Sequence, residues 1–121
     1  MLTKDDAEHP IPEELRPFFR KIASALAAAD FCLLSLGDSG VLQADQSDAD
    51  RFQNAIEAYG APLTRLSDAT WTTSIYRWMD DHWDAIVDLS TVDEAVSDLA
   101  MHVRIFDERP VRLQLWSVHV P

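Results

Sequence analysis

A single cysteine, Cys32, occurs among 121 residues, so the chain can form no internal disulfide. Its setting in Phe-Cys-Leu-Leu suits a small apolar side chain, and a reducing, cytoplasmic compartment is expected. Long hydrophobic runs are also missing. The most apolar stretches, Ala25 to Ala29 and Phe31 to Leu36, fall far short of the roughly 20 residues that cross a bilayer. The first residues, Met-Leu-Thr-Lys-Asp-Asp, lack the basic start and apolar stretch of a secretory signal, so neither a membrane span nor export by that route is expected. There is no Gly-rich phosphate loop, no Gly-x-Ser-x-Gly elbow and no cysteine beside a candidate base. His9, His82, His102 and His119 do not have zinc-ligand spacing. No catalytic residue, resident metal or cofactor is implied, and the usual constellation of an enzyme site cannot be assembled from these residues.

Basic residues are scarce in two places. Residues 22–50 hold no Lys or Arg but five aspartates, Asp30, Asp38, Asp45, Asp48 and Asp50. Residues 78–103, between Arg77 and Arg104, hold no Lys or Arg but seven acids: Asp80, Asp81, Asp84, Asp88, Asp93, Glu94 and Asp98. The formal net charge of −11 therefore comes from two windows, the rest of the chain being close to neutral. Fields of one sign speed encounter with the opposite sign and repel like charge. Direct contact with nucleic acid or an anionic membrane is disfavoured, and a protein with a basic surface is favoured.

With 47% hydrophobic and 26% charged residues the composition is that of a folded chain. The length fits one domain, residues 1–121, with a flexible N-terminus over 1–11. Pro12, Glu13 and Glu14 mark a helix start, and Leu15, Phe18 or Phe19, Ile22, Leu26 and Ala29 follow at helical spacing. Pro17 places the true start beside it or bends the first turn. Residues 31–43 read as loop, with a turn at Gly37 to Gly40. Ser47 and Asp50 mark a second helix with a stripe of Phe52, Ile56 and Tyr59, ended by Gly60 and Pro62. The pattern then becomes β-rich: strands are expected over 70–79, 83–90, 99–106 and 111–120. The fold class is α+β, two N-terminal helices on one face of a four-stranded antiparallel meander.

Alternation puts Trp83, Ala85, Val87 and Leu89 on the core side with Leu99, Met101, Val103, Ile105, Leu113 and Leu115. A three-residue loop, Asp80-Asp81-His82, would pair Trp78 with Asp84 and Tyr76 with Ile86. The outer face would then show Tyr76, Trp78, Ile86 and Trp116 among Asp84, Asp88, His102, Arg104 and Arg112. The candidate partner-binding residues are Asp80, Asp81, Asp84 and Trp78, followed by Tyr76 and Asp88. A simple register for the last hairpin sets Asp98 opposite His119. In the connecting loop Thr91 or Asp93 would cap the turn and Ser97-Asp98 would close it.

Trp83-Asp-Ala-Ile-Val-Asp-Leu-Ser-Thr-Val-Asp-Glu-Ala-Val-Ser-Asp-Leu99 resembles the pattern Trp-x-Val-x-Val-Asp-Leu-Trp-Thr-x-Glu-Glu-Gly-x-Ser-Asp-Leu-Thr-Leu of an uncharacterised family of small bacterial proteins. Tyr59-Gly60-x-x-Leu63 and Thr70-Trp71 also sit as in that family. The chain departs from it at Ser90, where the pattern has Trp, and at Ala95, where it has Gly. The resemblance implies an α+β fold and an immunity-protein-like role. The function expected is an immunity or antitoxin-type inhibitor of a cognate toxin. Two alternatives are a nucleic-acid-mimicking, anti-CRISPR-like inhibitor of a defence complex, and a metal-dependent hydrolase or small-ligand protein using the Asp88 to Asp98 carboxylate loop.

Overall fold

The computed structural model describes residues 2–121. Its two helices are Arg16–Ala27 (α1) and Gln46–Tyr59 (α2), and its strands are His9–Pro10 (β1), Ile75–Trp78 (β2), Trp83–Asp88 (β3), Ala100–Phe106 (β4) and Arg112–His119 (β5). All neighbours are antiparallel, in the order β1-β2-β3-β4-β5. The architecture is α+β, with two corrections. The sheet has five strands rather than four, and because the fifth precedes α1, the helices do not both stand ahead of the sheet.

The added strand comes from the segment expected to be flexible. His9 and Pro10 pair with Tyr76 and Ile75, and the His9 ring stacks on Tyr76 at 5.3 Å. Leu2 and Ile11 are buried. The Thr3 amide donates to the Tyr76 hydroxyl at 2.9 Å, and its carbonyl accepts from Trp83 Nε1 at 2.9 Å. Residues 2–11 are thus docked along the β2 side of the sheet; Met1 lies outside the described residues. Two bridged residues leave no alternation for sequence reading to detect, since the attachment is tertiary.

A 3₁₀ turn at Glu13–Leu15 leads into α1, and Pro17 sits in its first turn, where a missing amide costs nothing. Phe19, Ile22, Ala23 and Leu26 form its buried face. The helix ends two residues earlier than the stripe suggests. Ala29 has left-handed backbone (φ 62°), its amide donates to the Leu26 carbonyl, and the Asp30 amide reaches back to Ala25 at 2.9 Å. This is a Schellman closure with alanine in the position that glycine usually fills. Asp30 then organises the stretch read as loop. It accepts from the Leu34 and Ser35 amides and the Ser35 hydroxyl, capping a 3₁₀ turn at Leu34–Leu36. Those bonds, the Ser35 hydroxyl first, hold its carboxyl below the ordinary aspartate value.

Helix α2 is capped by Asp45, not Ser47: its carboxylate accepts from the Asp48 amide at 2.8 Å. Gly60 closes it in left-handed backbone at φ 85°. Strand-like composition over 70–74 is overridden, because Ser67 caps a 3₁₀ turn at Asp68–Thr72 and buried Thr70 donates to the Asp88 carbonyl. The core side of β3, β4 and β5 is as expected: Trp83, Ala85, Val87, Leu89, Leu99, Met101, Val103, Ile105, Leu113 and Leu115 are all buried. They join Phe19, Ile22 and Phe52 in one cluster, and α2 packs on β5. Between His102 and Val103 the β4–β5 register shifts: Val103 faces Leu115 and His102 faces Ser117, so Trp116 is the extra residue of a β-bulge.

Candidate functional site

The β2–β3 hairpin fixes where most of the expected binding residues lie. Trp78 pairs with Trp83, Arg77 with Asp84 and Tyr76 with Ala85, so the connection is the four residues Met79 to His82. It is held by the Met79 amide donating to the His82 carbonyl at 2.8 Å, with Asp80 at φ 77°. The expected three-residue loop is one residue too short, and a one-residue slip moves every side chain of the strand to the other face. Tyr76 therefore turns to the core side and is 3% exposed. Trp78 follows it, tilted against Trp83 at 4.9 Å and covered by the Lys4 ammonium at 5.0 Å. Neither shares a face with Asp84 or Asp88. Arg77 carried the missed signal, since the slipped register would have pointed its guanidinium into the core.

Asp80, Asp81 and Asp84 do gather at this end. The His82 ring lies between two carboxylates, Nδ1 2.5 Å from Asp81 and Nε2 2.9 Å from Asp84. Asp84 is also 3.2 Å from His102 Nε2, off the axis a hydrogen bond needs, which leaves that nitrogen buried without a partner. Beside it Arg104 stacks on the Trp116 ring at 3.5 Å. Phe106 faces Arg112, one residue later than the simple register, and the bulge adds one more, so Ala100, not Asp98, stands opposite His119. Asp88 accepts from the Thr73 hydroxyl, which ties strand β3 to the preceding turn.

The other acids of the second window stand at the opposite end of β3, in the loop of residues 89–99. Thr91 Oγ1 accepts from the Asp93 and Glu94 amides at 3.2 and 3.0 Å. Buried Ser97 returns its hydroxyl to the Leu89 carbonyl at 2.6 Å and accepts from the Leu99 amide at 3.2 Å. Thr91 as cap and Ser97 as closure agree with the sequence reading. Ser90 Oγ donates to the Ala95 carbonyl at 2.6 Å, so the two positions that depart from the resembled pattern touch each other. Tyr59, the last residue of α2, clasps the loop: its hydroxyl donates to Glu94 at 2.7 Å and accepts from the Asp98 amide at 3.1 Å. The Glu94 carboxylate, by accepting that proton, raises the Tyr59 hydroxyl above its ordinary value.

Sequence reasoning missed what lies beside this loop. A shallow groove of about 370 Å³ runs between α2 and β5, floored by Ala55, Ala58, Tyr59, Leu99, Val118 and Val120. Val120 is 57% exposed, and Val92, in the loop itself, is 65% exposed. Asp93, Glu94 and Asp98 stand in the adjoining loop, and none of them has a Lys or Arg within 4.0 Å among the described residues. In contrast, the acids of the first window are largely used internally. Asp30 caps a turn and Asp45 caps α2, Asp48 meets Arg51 at 2.5 Å, and Asp50 accepts from Gln46 at 2.8 Å. No group of three or more His, Cys, Asp or Glu side chains among the described residues is gathered to hold a metal ion. None of the described helices is long and apolar enough to cross a membrane.

An α+β domain with carboxylates at both ends of one central strand is what these residues define. The chain belongs to the family described as a domain of unknown function (DUF7668), whose pattern matches residues 23–121 and so takes in α2, the hairpin and the carboxylate loop. Comparison with curated proteins and with solved structures finds no match to the chain.

Proposed function

We propose that this domain is an acidic binding protein, an immunity or antitoxin-type inhibitor that neutralises a basic toxin by direct contact through the carboxylate loop and the adjoining groove. One observation carries the reading: three carboxylates without basic neighbours among the described residues, Asp93, Glu94 and Asp98, stand in the loop that also exposes Val92, next to an apolar groove lined by exposed Val120. Carboxylates left free of ion pairs steer a positive partner, while the desolvated apolar floor supplies contact energy. Asp80, Asp81 and Asp84 would act from the hairpin end as a second, steering charge. Tyr76 and Trp78, turned to the core side, are not contacts in this reading.

The test is kinetic. With the partner captured from the native cell and purified, reversing Asp93 and Glu94 to Lys lowers the association rate by about tenfold and flattens its salt dependence. Unchanged association and an unchanged salt slope would sink the reading. Carboxylates at both ends of β3, about 20 Å apart by the rise of a six-residue strand, favour a second reading, a nucleic-acid mimic. In that case duplex DNA or RNA competes with the domain for the same partner, and reversal of Asp80 and Asp81 costs as much as reversal at the loop.

A further inference from the structure

Against a net charge of −11, one region of the molecule is basic. Helix α1 places Arg16, Arg20 and Lys21 on its first turns, and the segment after α2 brings Arg65 opposite Arg20 across a cavity of about 470 Å³. Arg20, Ser24, Arg65, Leu66, Ser67 and Asp68 line this cavity. The one carboxylate among its lining residues, Asp68, is 93% exposed and forms a long, solvent-screened ion pair with Arg20 at 3.7 Å. No carboxylate lies within 4.0 Å of Arg65 or Lys21 among the described residues. Arg20 is preorganised, because its guanidinium lies over the buried Trp71 indole at 5.5 Å. Ser67 Oγ accepts from the Ala69 amide, which leaves its own hydroxyl hydrogen free to donate.

From this we infer that the cavity between α1 and Arg65–Asp68 is a binding site for a phosphate group. Two guanidinium forks and two serine hydroxyls supply more donors than the two oxygens of a carboxylate accept, and they suit the three terminal oxygens of a phosphate monoester. A second cavity of about 360 Å³ shares Arg20 and Ser24 and adds Lys21. A diphosphate can therefore reach from Arg65 towards Lys21, which orders the ligands: diphosphate binds more tightly than phosphate. The site is separate from the carboxylate loop, and its test does not depend on the partner proposed above.

Nitrogen-15-labelled protein is titrated with inorganic phosphate and with pyrophosphate, each to about 20 mM, the millimolar range of a weak single-site ligand, at ionic strength held constant with sodium chloride. A phosphoserine peptide forms a third arm, and whichever of it and pyrophosphate saturates lower identifies a protein-borne or a free phosphate as the source. Expected are saturable shifts of the Arg20 and Arg65 side-chain signals and the Ser67 amide, with affinity falling about tenfold in Arg65→Met, the factor carried by one charge-assisted hydrogen bond. Arg65 is exposed, so the substitution leaves the core untouched. Shifts no larger than chloride alone produces, or shifts that persist unchanged in Arg65→Met, would overturn the assignment.

Discussion

Replacing Ser97 by alanine tests whether the carboxylate loop is held by its own closure. The Ser97 side chain is the acceptor for the Leu99 amide at 3.2 Å, in surroundings where Ser97 is 3% and Leu99 1% exposed. Its hydroxyl also donates to the Leu89 carbonyl, but that carbonyl keeps the Ser97 amide at 2.9 Å and is not stranded. The cost is therefore set by the Leu99 amide, one buried donor left without a partner, worth about 2 kcal/mol. An unfolding entropy of about 2.1 cal/mol/K per residue converts this to a fall in melting temperature of about 8 °C for a chain of 121 residues. Urea titration followed by tryptophan fluorescence measures the first quantity, and calorimetry the second. The neighbouring Asp98→Ala is the control: Asp98 is exposed, and its side chain makes no hydrogen bond among the described residues, so the variant's stability stays within about 0.5 kcal/mol of the parent. A Ser97→Ala loss below about 0.5 kcal/mol would show that the loop does not depend on this closure.

Two further outcomes follow from local geometry. Asp30, whose folded value lies below the ordinary 3.8, stabilises the turn when ionised. Its contribution is fully present above pH 3.8 and is lost as pH falls through the folded value. Asp30→Asn is then less stable than the parent at pH 7, and urea midpoints of the two converge in acid; a gap independent of pH would contradict the capping role. Among the tryptophans, Trp116 is 42% exposed while Trp71 and Trp83 are 7% and 1% exposed. Brief oxidation followed by peptide mass spectrometry modifies Trp116 ahead of those two, and equal rates at Trp83 would be incompatible with the docked N-terminal segment.

What could be read from the sequence was what burial enforces over several residues. The alternation from Trp83 to Leu89 and from Leu99 to Ile105 is legible because each inward position must be apolar. Gly60 is legible because the helix end needs left-handed backbone there. Positions decided by a single residue or a distant contact were not. Asp45 and Ser47 are both good caps, and only the observed start at Gln46 separates them. Loop length between Trp78 and Trp83 rests on Asp80 accepting a positive φ, which Asp-Asp-His does not announce. That one residue removed Tyr76 and Trp78 from the outer face, while the second acidic window is divided by β3 itself, which separates its two ends. The candidate site was therefore legible as charge and illegible as a surface, because the groove beside the loop is assembled from α2, β5 and the loop's end, distant in sequence.

The bulge in β5 has a consequence for position 116. Val103 faces Leu115 and His102 faces Ser117, so the ladder would run continuously if Trp116 were simply left out. The residue has no rung of its own. Inward positions are odd before it, at Leu113 and Leu115, and even after it, at Val118, so the chain changes parity there without losing a core contact. A large aromatic ring at a place the sheet does not require, held under Arg104 and open to solvent, owes its identity to the outer face rather than to the fold.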